Sequence, residues 1–270
     1  MWNRTSPDPL ARLLFDKYDV HVLSRPRATL PVLTVFAVRD DNGYLGGTLA
    51  SLLRVPFDPP EITKGEPVLD ISTTVSSATS GSGALNFLKG FLATIGGAIG
   101  VSMGAAFERT GTSALKFRFD GCTLDSVADA FDLENRLADL DFDKSKSAMK
   151  DDVRYYLVRG VHSCAALTFE ALDKKAASID LHADVAAIGD AKASLTTNND
   201  KTITAASSTP LAYGVVLNEL VYDSRKKRLG LREAKDYVHV MAAVKRKIPA
   251  AVLGGDAGGV VELREGGGVI

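Results

Sequence analysis

Between Asp70 and Glu108 the chain runs for 37 residues with a single charge, Lys89, although 24% of all residues are charged. That gap is the strongest compositional anomaly in the chain. Its first part, Ile71 to Gly83, is mostly Ser, Thr and Gly and reads as strand and turn. From Ala84 to Phe107 the spacing changes, and Leu88, Phe91, Leu92 and Ile95 fall on one helical face. Gly96, Gly97, Gly100 and Gly104 follow. Each costs a helix about 1 kcal/mol relative to Ala, so this helix is weakly committed. Two readings stay open: a core helix packed on a sheet through its glycine face, and a segment that converts to strand and meets lipid.

With 270 residues, 28.7 kDa and 46% hydrophobic content, the chain has enough apolar surface for a real core. Lys and Arg total 32 against 33 Asp and Glu, so no global field recruits nucleic acid, and electrostatic partners must be met locally. Two cysteines, Cys122 and Cys164, make no disulfide framework, and with four scattered histidines they suggest no zinc site. No metal or cofactor is expected, and the cysteines are read as ordinary buried thiols in a reducing cytosol. Arg4, Asp8, Arg12, Asp16, Lys17 and Asp19 interrupt the first thirty residues, so no signal peptide is expected.

Four segments alternate with period 2, the mark of a strand with one apolar face. Leu69, Ile71, Thr73 and Val75 alternate with polar residues before the low-charge region, and Leu115, Phe117 and Phe119 alternate with Lys116, Arg118 and Asp120 after it. Leu167 and Phe169 share a face within Val153 to Leu172, and Ile179, Leu181, Ala183 and Val185 share one farther on, before a polar run from Ala191 to Ser208. Soluble antiparallel sheets give this pattern far more often than membrane barrels do. The segments nonetheless extend to the roughly 9 to 11 residues a barrel strand needs, and two pairs make two hairpins.

Ala28 to Val38, a turn at Asp41-Asn42-Gly43, and Tyr44 to Leu53 read as strand, turn, and short strand or helix. An amphipathic helix with an acidic outer face is expected after Thr123, through Leu124, Val127, Ala128, Phe131, Leu137 and Leu140. Leu211 to Asp223 is a further strand. A basic helical region follows, with Arg225, Lys226, Lys227, Arg228, Lys245, Arg246 and Lys247 among its cations. It reads as a solvated surface or as one that meets anionic lipid, and nucleic acid is not expected because no reading motif accompanies the charge. The glycine-rich end after Pro249 reads as a protease-accessible tail, although Val260, Val261, Leu263, Val269 and Ile270 suit an added strand in a groove. There is no nucleophile elbow, Walker loop, HExxH or complete dinucleotide fingerprint, so no enzyme is expected.

Alternating strands flank a low-charge glycine-rich stretch, a second alternating pair follows, and a basic region precedes a short glycine-rich tail. With the opening Leu10-Ala11-Arg12-Leu13-Leu14, Tyr18-Asp19-Val20-His21-Val22 and Leu30-Pro31-Val32-Leu33, this resembles a bacterial gasdermin over nearly the whole chain. The resemblance implies an α+β fold, a twisted, largely antiparallel sheet with surrounding helices. It divides the chain into a pore-forming domain, 1–253, and a short autoinhibitory peptide, 254–270. It implies a cytoplasmic protein cut by a caspase-like or trypsin-like protease during phage infection, which then self-oligomerises and opens an inner-membrane pore that kills the cell. Its inserting hairpins map to about 67–123 and 153–208. The cut maps to Leu253–Gly254, with Arg246 and Lys247 as the trypsin-like alternative. Many members carry an acylated cysteine at the start; none stands in Met1-Trp2-Asn3-Arg4-Thr5, and no acylation is expected. The rival reading is a soluble α+β lipid- or protein-binding module whose tail is never cut.

Overall fold

The structure, a computed structural model, describes residues 9–39, 42–76, 114–140, 142–172, 183–184, 193–198 and 202–234. Two long strands, β8 (Arg154–Ala171) and β11 (Thr202–Asp223), lie antiparallel from Tyr155↔Leu220 to Glu170↔Thr202 and form the spine of a single sheet. Their register shifts between Ala206 and Leu211, between Ala212 and Gly214, and between Val216 and Leu217. Each irregularity adds local bend and twist, so the ribbon curls.

Shorter strands line both edges of this spine. Along β8 lie β2 (Thr34–Arg39), β7 (Thr123–Val127) and β6 (Ala114–Asp120). Along β11 lie β12 (Arg228–Glu233), β1 (His21–Arg27) and β10 (Ala193–Asn198). Outside these, β3 (Asn42–Thr48) pairs with β2, β4 (Ile62–Pro67) with β7, β5 (Ile71–Ser76) with β6, and β9 (Ala183–Asp184) with β10. Every pairing is antiparallel.

At the end of the spine nearest Arg154 both faces are buried. Val35, Ala37, Tyr155, Leu157 and Leu220 face a core with α2 (Leu49–Leu53) and α3 (Ala130–Ala138). Phe36, Val38, Tyr156, Val158 and Leu217 face the other way, onto a core with Leu23 and Leu30 of the β1 side. Consecutive residues serve opposite cores, as the strand period requires. Helix α1 (Pro9–Tyr18) buries Leu10 and Leu14, four residues apart.

Several expectations are corrected. The helix expected after Thr123 starts only at Ala130, because Thr123–Val127 is held as a strand between β4 and β8. Asp129 caps it, its Oδ1 accepting from the Phe131 and Asp132 amides at 2.8 and 3.3 Å. Leu133 and Leu137 face inward, while Phe131 is 77% exposed. The expected acidic face is only partly free: Asp125 accepts from the Gly65 amide at 2.7 Å, and Asp132 binds Arg136 at 2.8 Å. Arg136 also reaches Asp58 at 2.6 Å. The first basic residues form a turn and then β12 rather than a helix, because β11 supplies a ladder for Arg228–Glu233. The polar run before Leu211 contains β10 and the start of β11. Ala183–Asp184, in the fourth alternating segment, pairs with β10, and the third, in β8, pairs with β11. The hairpin of β2 and β3 closes with Arg39 opposite Asn42, so Asn42 and Gly43 belong to the strand instead of the turn.

Candidate functional site

Away from the helices, the spine carries β6 and β5 on one edge and β10 on the other, which brings the alternating segments together. Ile71 stands opposite Phe119 and Val75 opposite Leu115 across β5 and β6. Phe117 stands opposite Phe169 and Phe119 opposite Leu167 across β6 and β8, and Phe169 opposite Ile203 across β8 and β11. A strand register places directly opposed residues on the same face. Ile71, Phe117, Phe119, Leu167, Phe169 and Ala205 therefore form one apolar surface, and all are buried. The rings of Phe117 and Phe169 meet edge to face at 5.3 Å between centroids.

The opposite face is polar and internally paired. Lys116 stands across from Glu170 with 3.6 Å between charged atoms. Arg118 donates to Asp120 at 2.6 Å along β6, and the hydroxyls of Thr168 and Thr204 lie 3.2 Å apart across the spine. Half-exposed ion pairs contribute little stability. What they set is the side of the sheet that stays wet. Among the described residues no helix is long and apolar enough to cross a membrane.

A second feature lies at the far end of the spine, where β11 turns into β12. The Asp223 carboxylate accepts from the amides of Arg225 and Lys226 at 2.9 and 3.1 Å and so shapes the turn. Lys227 adopts a left-handed conformation, φ 52°, which disfavours a side chain. The result is an exposed knot of four cations, Arg225, Lys226, Lys227 and Arg228. Farther along β12, Arg232 donates to Glu219 at 2.6 Å, and that carboxylate raises the guanidinium above its ordinary pKa.

Of the residues read as inserting, Ile71, Val75, Leu115, Phe117, Phe119, Leu167 and Phe169 lie on these strands. Leu69 does not: it precedes β5 and is 90% exposed. Ile179, Leu181 and Val185 lie outside the described residues, as do Lys245, Arg246, Lys247, the Leu253–Gly254 bond, Val260, Val261, Leu263, Val269, Ile270 and the 84–107 stretch. The contribution of Ala205 is not visible in the sequence, because Thr and Ser dilute the run; its Thr-Ile-Thr alternation at 202–204 is the available signal. Cys122 and Cys164 are buried, as expected. His162 and Cys164, two positions apart on β8, both lie beside Tyr213.

The described residues thus form a curled antiparallel sheet, two-faced at one end and packed with helices at the other. A family model described as the Bacterial Gasdermin Family matches residues 23–229, and the chain belongs to that family. The structure of a bacterial gasdermin from Bradyrhizobium tropiciagri superposes with a TM-score of 0.61 over 88% of this chain and 96% of that one, at 14% sequence identity. A sequence search of curated proteins finds no significant match. The family is one of pore-forming effectors, a class that acts through self-assembly and membrane lipid.

Proposed function

We propose that this chain is an autoinhibited pore former, kept inactive in the cytoplasm by its last seventeen residues, 254–270. A caspase-like protease cuts Leu253–Gly254, or a trypsin-like one cuts after Arg246 or Lys247. The freed domain oligomerises on the inner membrane, and regions 67–123 and 153–208 lengthen into β-hairpins of a large barrel. The pore kills the host cell, which serves defence against phage.

The observation that carries this reading is the register of β5, β6, β8 and β11, which already places one apolar and one polar face on antiparallel strands. Moving Phe117, Phe119, Leu167 and Phe169 from the core to acyl chains exchanges one apolar environment for another, while Lys116, Glu170, Thr168 and Thr204 keep a wet side toward the lumen. Strands β5 and β6, with 6 and 7 residues, fall short of the roughly 9 to 11 that span a bilayer. The low-charge stretch between them supplies the residues to lengthen both. The knot Arg225–Arg228 gives the domain an anionic-lipid contact worth about 1 kcal/mol per cation near a charged surface, and Lys245, Arg246 and Lys247 add to it.

The test is dye release from vesicles of bacterial lipid, using the full chain with a site-specific protease sequence in place of Ala250 to Leu253. Release only after cutting is expected. A confirmed cut without release overturns the proposal.

A further inference from the structure

Strands β6 and β7 both pair with β8 in one continuous register. Asp120 stands opposite Ala166, and Thr123 stands opposite Ser163. The two residues between them, Gly121 and Cys122, therefore stand opposite Ala165 and Cys164. Gly121 sits close against β8 there, since a Cβ built on it would lie 3.0 Å from that of Ala165, closer than a side chain is comfortable. Gly121 has φ 61°, so the chain turns there without losing its place along β8.

The hydrogen bonds of Cys122 then fix the type of pair. Its amide donates to Asp70 Oδ1 at 3.3 Å, and its carbonyl accepts from the Val68 amide at 3.1 Å. Both groups point toward the 68–70 connection and away from β8. Cys122 and Cys164 are thus a non-hydrogen-bonded antiparallel pair, the kind that brings Cα atoms to about 4.5 Å with the side chains close. That spacing lies at the near end of the roughly 4.4 to 6.8 Å range of disulfides. Both thiols are buried, and burial pushes both up, Cys164 with a further contribution from Cys122; the Cys122 Sγ–H donates to the Phe119 carbonyl at 3.5 Å. Tyr213, whose ring stacks on Phe119 at 4.6 Å, interacts with both.

We propose that Cys122 and Cys164 are a redox modification site: a cross-strand dithiol that closes to an intramolecular disulfide by exchange with a small disulfide such as oxidised glutathione. One thiolate attacks the small disulfide and releases one reduced thiol. The second thiolate then attacks the mixed disulfide and releases another. The cysteine pair loses two protons and two electrons, and one oxidised glutathione becomes two reduced ones. The bridge ties β7 to β8 and closes the chain between residues 122 and 164, locking the register that holds the two strands together. This inference rests on the folded register alone and stands whether or not the chain makes pores.

The experiment equilibrates the full chain with glutathione buffers of graded ratio, approached from both the reduced and the oxidised side, in native buffer and in concentrated urea. Intact mass after acid quench and alkylation counts the monomer carrying an internal bridge. The native pair is expected to oxidise with an equilibrium constant at least tenfold that of the unfolded chain, because the fold raises one thiol's effective concentration at the other. The Cys122→Ser variant should lose the bridged monomer and retain only mixed disulfide. A native-to-unfolded ratio below ten, or glutathione adducts without a bridged native monomer, overturns the proposal. The wild-type ratio decides the matter even if the variant does not fold.

Discussion

At the scale of single residues, Phe169 has two demands on it. It packs edge to face on Phe117 and is fully buried in the folded form, and in the proposed pore it turns to lipid. Phe169→Ala should lower the unfolding free energy by about 3 to 5 kcal/mol through lost transfer energy and a residual cavity, read from urea denaturation; an unchanged midpoint would remove it from the core. Asp19 makes the opposite case. It sits where α1 meets β1 with φ 55°, and burial first, then Glu233, raise its pKa, while Arg159 pulls it down. A carboxyl with a raised folded pKa gives stability below its unfolded pKa and loses it as pH rises through the folded one. At neutral pH the charged Asp19 is therefore a burden. Asp19→Asn tolerates the left-handed backbone and should raise Tm slightly at pH 7, with the gain shrinking as pH falls toward about 4.

The elements show where local chemistry decides structure. Helix α3 exists because Asp129 caps its first amides and Leu133 and Leu137 point into the core. Asp129→Ala should cost about 1 kcal/mol of stability, measured by chemical denaturation. The β11–β12 turn keeps a lysine where glycine would be more comfortable. Lys227→Gly relieves a left-handed conformation that costs roughly 1 to 2 kcal/mol, so the domain should become no less stable while binding of the cut protein to anionic vesicles weakens. Weaker binding together with lower stability would show that the residue serves the fold instead. Much of this level was legible in the sequence. Period-2 alternation located β5, β6 and the end of β8, and a hairpin was visible around Asn42. What was not legible was β7, because Leu124 and Val127 fit a helical spacing as well as a strand and only the flanking backbones of β4 and β8 decide between them. Strand β10 was hidden for the same reason, since a Thr- and Ser-rich run becomes a strand when β11 offers it a ladder.

For the molecule as a whole, the proposal turns on whether the charge of the last seventeen residues screens the basic surface. That segment carries Asp256, Glu262 and Glu265 against Arg264. If it screens the cations, the uncut triple variant Asp256→Asn, Glu262→Gln, Glu265→Gln should bind anionic vesicles more tightly than the uncut parent. The gain is up to about fivefold per charge, the equivalent of about 1 kcal/mol each near a charged surface, and it should fall with salt. Equal sedimentation of both with vesicles would remove electrostatic screening from the proposal. Folding should also carry the mark of topology, because β2 pairs with a strand that begins at Arg154 and β1 with one that ends at Asp223, and such distant contacts close late.

The sequence by itself determined which segments have two unlike faces, where charge is withheld, and that the chain resembles a bacterial gasdermin. Those are properties of residue order, and alternation needs no partner to be read. Only the tertiary structure decided which strands pair, since register depends on what lies across the ladder. That is why the third alternating segment pairs with Thr202–Ala206, why Leu69 is left in solvent, and why β6 and β7 keep one register along β8 on either side of Cys122.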